Sequence, residues 1–191
     1  MSKPDLRAEA ERRRGRAATR NPLAGETLAA IFPAAWLPDP GAVVSGYWPI
    51  RSEIDPRPLM RRLARLGARL ALPVTPPRGS DGPLTFRLWT PDLALTVGGF
   101  GVHEPGADVP EVEPDLLLVP LLAFDGRLHR LGYGAGHYDR TLAGLRSRKP
   151  VRAVGLAFAA QAVDRLPEDP HDEVLDGVVT ERAYSGFRKD P

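Results

Sequence analysis

The residues best equipped for chemistry lie together in one stretch, Arg130-Leu131-Gly132-Tyr133-Gly134-Ala135-Gly136-His137-Tyr138-Asp139-Arg140. Glycines at alternate positions admit positive φ and let a second molecule approach the backbone amides without meeting a Cβ. The apolar spacing of Tyr138, Leu142 and Leu145 predicts a helix beginning near Gly136. The loop amides and the positive end of that helix would then form an anion site. Arg130 and Arg140 bracket the loop with fixed charge, which suits a polyphosphate better than a single carboxylate. Asp139 follows the glycines directly and is a candidate to hold Mg²⁺ against phosphate oxygens. The stretch lacks the Lys-Ser/Thr ending of a P-loop and the spacing of a dinucleotide fingerprint, so the competing reading is an ordinary glycine-rich turn.

The elements around the loop have to position it. Asp115-Leu116-Leu117-Leu118-Val119-Pro120 is a short unbroken apolar run, as expected for a strand covered on both faces of a parallel sheet. Further strands are predicted at 42–48, 68–74, 84–89, 151–158 and 177–181, with 84–89 at an edge. Helices are predicted over 3–20, after Asn21-Pro22, and after Asp55-Pro56, where Asp55 reads as an N-cap. Alternating strands and helices indicate an α/β fold, a three-layer α/β/α sandwich with a mostly parallel open sheet. In the first helix Leu6 and Ala10 are expected to face the core, while Arg12, Arg13, Arg14 and Arg16 stay in solvent. Lys3 and Arg7 are four apart, share a face and are able to converge on one anion.

A chain of 191 residues supports one sizeable core, so a single domain over 1–191 is expected. Its 21 prolines and 19 glycines indicate many sharp connections between short elements. The net charge of +2 and pI near 9.2 permit anionic ligands without arguing for nucleic acid. With no cysteine, disulfides, thiol nucleophiles and Cys-ligated zinc are excluded. The first residues show no apolar core of an export signal and no apolar run approaches the ~20 residues that span a bilayer, so a cytoplasmic protein without membrane contact is expected. None of His103, His129, His137 and His171 has metal-binding spacing.

Leu117-Leu118-Val119-Pro120, then Ala123-Phe124-Asp125, then the 130–140 stretch resemble the signature of the 5-formyltetrahydrofolate cyclo-ligases, or methenyltetrahydrofolate synthetases. Further pieces of the pattern extend the likeness over about residues 3 to 181. The resemblance implies conversion of 5-formyltetrahydrofolate and ATP to 5,10-methenyltetrahydrofolate, ADP and phosphate, in a monomer. ATP would phosphorylate the formyl oxygen, and attack by N10 would close the ring as phosphate leaves. It implies Lys3 and Arg7 at ATP, through a Lys-x-x-x-Arg near the N-terminus, so that the basic helix over 1–20 contributes to the nucleotide site. Arg130, Leu131, Gly132, Tyr133, Gly134, Ala135, Gly136, His137 and Tyr138 would bind the phosphates, with Arg130 and Tyr138 also catalytic. Substrate would meet Ile50, Asp55, Phe100 and the Tyr133 to His137 stretch. Asp172, in Pro170-His171-Asp172, would join Asp139 on Mg²⁺, with Asp176 a weaker candidate. Two positions depart from the family pattern, His137 where Tyr is usual and Ala135 where Gly or a basic residue is usual. Two other readings stay open: a different ATP- or sugar-phosphate-using enzyme on a similar scaffold, and a nucleic-acid-binding module using Arg12 to Arg16.

Overall fold

The computed structural model describes residues 3–77, 79–98 and 101–186. In chain order the elements are α1 (Lys3–Arg20), α2 (Ala24–Ile31), β1 (Val43–Ser45), α3 (Arg57–Arg65), β2 (Arg69–Val74), β3 (Thr85–Leu88), β4 (Leu95–Val97), β5 (His103–Pro105), β6 (Leu116–Pro120), β7 (Ala123–Asp125), β8 (Arg130–Leu131), α4 (His137–Arg146), β9 (Arg152–Leu156), β10 (Ala162–Val163), β11 (Gly177–Val179) and β12 (Tyr184–Gly186). The main sheet has seven strands in the order β12-β11-β9-β6-β1-β2-β3. Its inner five strands are parallel, and β12 and β3 close the two edges in antiparallel fashion.

The unbroken apolar run of β6 fills the middle of this sheet because successive side chains leave on opposite faces. Leu116 and Leu118 pack with Leu28, Phe32, Leu59 and Leu63 of the α2 and α3 side. Leu117 and Val119 pack with Leu142 and Leu145 of α4. These β6 side chains are fully buried, each contributing about 1.5–3 kcal/mol by removal from water. The layers α2 and α3, sheet, α4 follow from that alternation. A smaller sheet, β10-β7-β8, lies under α1, where Ala10 meets Leu122, Ala123, Leu131 and Leu166.

Element boundaries differ from expectation where turn chemistry has two readings. Asn21 does not start the second helix. Its backbone N–H and its side-chain amide both donate to the Ala17 carbonyl at 3.0 Å, so it closes α1, and α2 begins at Ala24. Pro33 stops α2 at Ile31, leaving Trp36 in a separate 3-10 turn. Asp55 does accept the Arg57 N–H at 2.9 Å at the head of α3. The edge strand β12 was not foreseen, because its three residues are all exposed and carry no apolar alternation.

Candidate active site

β1 is paired with β2 on one side and β6 on the other, so the chain reverses direction of travel across the sheet between β1 and β6. A crevice opens beyond the carboxyl ends of strands at such a point. From β1 the chain enters the 46–55 segment, and from β6 it passes through the β7-β8 hairpin into the glycine loop. Two stretches distant in sequence therefore meet, and α1 packs against both.

The glycine loop is shaped as the spacing predicts. Gly134 and Gly136 have φ of 106° and 67°, and Gly136 is the residue immediately before α4. Arg7 reaches the loop from α1: its Nε donates to the Gly132 carbonyl at 3.1 Å, and its guanidinium carbon lies 2.9 Å from where a Cβ on Gly134 would stand. A side chain at 134 would displace that cation. Lys3, one turn earlier, sits 3.8 Å from Asp169 Oδ2, and Arg140 donates to the Ala135 carbonyl. His137 Nδ1 is 2.9 Å from the Gly82 carbonyl, tying the start of α4 to the loop before β3. Leu131 is buried beside Ala10 and its carbonyl accepts the Leu122 N–H, so it serves the core that backs the loop.

Arg130 lies beneath this surface, with a side chain 5 % exposed. It donates to Asp139 Oδ1 at 2.6 Å and to the Glu173 carbonyl. The Glu173 N–H adds a 3.0 Å bond to the same Asp139 oxygen. Asp139 and the 169–173 loop therefore stand together, and Asp172 is held in that loop by the Asp169 N–H at 2.9 Å. Among the described residues no three His, Asp or Glu side chains gather as a self-sufficient metal cage. Asp176 takes Arg146 at 2.8 Å and the Ala153 N–H at 2.6 Å, and the same guanidinium donates to Glu173 Oε2 at 2.7 Å.

On the other wall, Glu53 is the carboxylate that meets the loop. It accepts the Ile50 N–H at 2.9 Å on Oε2 and the Tyr133 hydroxyl at 2.9 Å on Oε1. Asp55 is paired with Arg57: its Oδ1 takes Arg57 Nε at 2.8 Å as well as the backbone N–H, and its Oδ2 takes Arg57 Nη2. The same guanidinium stacks over Trp48 at 4.9 Å. Phe100 lies outside the described residues. Nothing in the local sequence marks Glu53, since its partner Tyr133 is eighty positions away.

Arg14 is the clearest correction. Expected in solvent, it is 1 % exposed, because it lies seven residues after Arg7 on the same helical face. Its Nε donates to Ser52 Oγ at 3.1 Å, Nη1 is 3.7 Å from Glu53 Oε1, and the guanidinium carbon is 5.4 Å from the centre of the Tyr133 ring. Neither Nη nitrogen makes a hydrogen bond of good geometry among the described residues.

Burial raises the Glu53 carboxyl above its ordinary value, opposed by the Ile50 N–H, the Arg14 charge and the Tyr133 hydroxyl. Burial likewise raises the phenols of Tyr133 and Tyr138, and the Glu53 charge adds to both shifts. Both are neutral donors at physiological pH, and Tyr138 packs against the α4 face of the core.

Residues 1–181 match the 5-formyltetrahydrofolate cyclo-ligase family. The 5-formyltetrahydrofolate cyclo-ligase of Escherichia coli strain K12 is 42% identical over 132 residues, covering 67% of this chain and 71% of that protein. The protein of the same name from Mycolicibacterium smegmatis is 35% identical over 146 residues, covering 73% and 74%. Among solved structures, the Aquifex aeolicus 5,10-methenyltetrahydrofolate synthetase superposes with a TM-score of 0.76 at 29% identity, covering 100% of this chain and 95% of that one.

Proposed function

Because this chain belongs to the 5-formyltetrahydrofolate cyclo-ligase family, we propose that it closes 5-formyltetrahydrofolate to 5,10-methenyltetrahydrofolate in the crevice between α1, the 132–136 loop and the 46–55 segment, with ATP and Mg²⁺ as co-reactants. The reading rests above all on one observation, the Arg7 guanidinium filling the space that only a glycine at 134 leaves open. A cation at that point, beside two glycines of positive φ at the head of a helix of ten residues, suits the terminal phosphates of a nucleotide.

The residues fit the nucleotide and the metal. Mg²⁺ is ordinarily held by one or two carboxylates, with phosphate oxygens and water completing the octahedron. Asp139 and the 169–173 loop bearing Asp172 stand together beside the glycine loop, which matches that donor set better than an all-protein cage. The ion would neutralise charge on the transferred phosphoryl group. Lys3, Arg7 and Arg140 add positive charge on the same side, while Arg130 aims Asp139 and the 173 backbone from behind. In this reading Arg130 acts by positioning, and with Ala rather than a basic residue at 135 the phosphate charge is left to Lys3, Arg7 and Arg140.

The formyl oxygen of the substrate is a poor leaving group, and transfer of the γ-phosphoryl group to it makes departure as phosphate possible when N10 attacks. No protein nucleophile is required. The chain's contribution is to align the two reactants and stabilise developing charge. Glu53 joins Asp55 as a folate contact in this reading, since its Oε1 meets Tyr133 of the loop and a carboxylate suits the paired N–H donors of a pterin. Tyr133, 40 % exposed, stands at the boundary between the two reactants.

The direct test follows the methenyl chromophore and ADP together in the purified protein. The reading requires one ADP per product and loss of turnover when Mg²⁺ is chelated. Product formed without ATP, or ADP released without product, sinks it. Neither a sugar-phosphate enzyme nor a nucleic-acid-binding module gives that stoichiometry.

A further inference from the structure

The Arg14 guanidinium has a cost that calls for a function. A cation 1 % exposed, with both Nη nitrogens short of hydrogen bonds, is expensive to bury. Its surroundings are built for direction. Ser52 fixes Nε, the Tyr133 ring lies over the guanidinium, and Glu53 Oε1 stands 3.7 Å from Nη1. Glu53, 4 % exposed, has no closer cation among the described residues. The other groups turned toward it among the described residues carry no full charge or stand in solvent. They are the Ile50 N–H, which at 2.9 Å opposes the effect of burial more than Arg14 does, and the exposed Arg51 on its own segment, the Tyr133 hydroxyl at 2.9 Å on the glycine loop, and the neutral phenols of Tyr47 before it and Tyr138 on α4.

We infer that Arg14 is a positioning residue for the folate half of the reaction, holding Glu53 ionised and aimed so that its carboxylate accepts the N–H groups of the pterin. This rests on the reading of Glu53 as a folate contact given above. A protonated Glu53 would keep one acceptor oxygen and present a hydroxyl to a donor edge, so substrate binding would weaken while the nucleotide side is untouched. Removing Arg14 leaves burial unopposed by its nearest charge, and Glu53 then takes up a proton at a higher pH than before.

The test is a cycle of full-length parent, R14M, E53Q and R14M/E53Q, with KM for 5-formyltetrahydrofolate and for ATP measured from pH 6 to 9. R14M is expected to raise the folate KM about tenfold or more at pH 7, the rise shrinking as pH increases and Glu53 ionises, with the ATP KM within about twofold of the parent. R14M/E53Q is expected to match E53Q, because Arg14 acts through the carboxylate that E53Q has already neutralised. Additive losses in the double variant, a pH-independent rise, or equal rises in both KM values assign Arg14 a merely structural role and overturn the inference. R14K, which keeps the charge, should stay within about threefold of the parent at pH 7, and it decides the matter if R14M does not fold: a tenfold, pH-independent rise in R14K sinks the inference. An unchanged folate KM in E53Q removes Glu53 from the folate site itself, whereas an impaired E53Q beside a parent-like R14M removes Arg14 alone.

Discussion

The two sides of α1 carry much the same residue types and meet very different surroundings. On the inner side Lys3, Arg7, Ala10, Arg14 and Ala17 recur at helical spacing, with Ala10, Arg14 and Ala17 buried and Arg7 seated on the glycine loop. On the outer side Arg12 and Arg16 pair with Glu9 at 2.7 and 3.5 Å, and with Arg20 they rim an open depression of about 480 Å³. Exposed pairs of that kind contribute roughly 0–1 kcal/mol. The inner arginines stand where their charge is little screened, and each is matched to something particular: a carbonyl and a missing side chain for Arg7, a carboxylate for Arg14. What an arginine does is set by the surface its helical face is turned toward, and composition alone does not report that.

Five substitutions sharpen or break the contrast. The largest effect belongs to R14A, which strands the Glu53 carboxylate without its cation. It should lower stability by about 3–5 kcal/mol in urea unfolding at pH 7 to 8. The sign of its pH dependence follows from Glu53 having a raised value in the folded state. Stability is then present below the ordinary carboxylate value and is lost as pH rises through the folded one, so the R14A deficit should shrink toward pH 5. A deficit that stays constant across this range removes Glu53 from the explanation.

Next comes G134V, which forces a β-branched residue to φ of 106° and drives a Cβ into the Arg7 guanidinium. A fall in kcat/KM of about 100-fold is expected, with far-UV circular dichroism unchanged; parent-like kinetics would show that the loop tolerates bulk and does not grip phosphate. R7A should raise the KM for ATP about tenfold and leave the folate KM within about twofold, a split that equal changes in both would contradict. Smallest of all, R12Q and R16Q should each change stability by less than about 0.5 kcal/mol and leave both KM values in place. A clear kinetic loss in either one would abolish the distinction between the two sides.

Local pattern was enough for some of this molecule. The sheet core was legible because β6 is four consecutive buried apolar residues, and the loop because its glycines, arginines and acid are contiguous. Lys3 and Arg7 were legible because a spacing of four fixes a shared face. Arg14 obeys the same periodicity, yet a run of four basic residues among Arg12, Arg13, Arg14 and Arg16 reads as a solvated surface unless the rotation of the helix against its neighbours is known. Glu53 and Asp55 are two apart in an irregular segment, and only the fold tells which reaches Tyr133 and which is claimed by Arg57. Asn21 illustrates a third limit, since one amide side chain serves either end of a helix and the choice depends on which backbone groups lie within reach.

Binding of MgATP in the absence of folate bears most directly on the claim that the inner face of α1 and the glycine loop form the nucleotide site. Titration calorimetry should give R7A a Kd about tenfold or more weaker than the parent and R12A a Kd within about twofold of it. Equal weakening by R12A, or full affinity in R7A, would contradict the account.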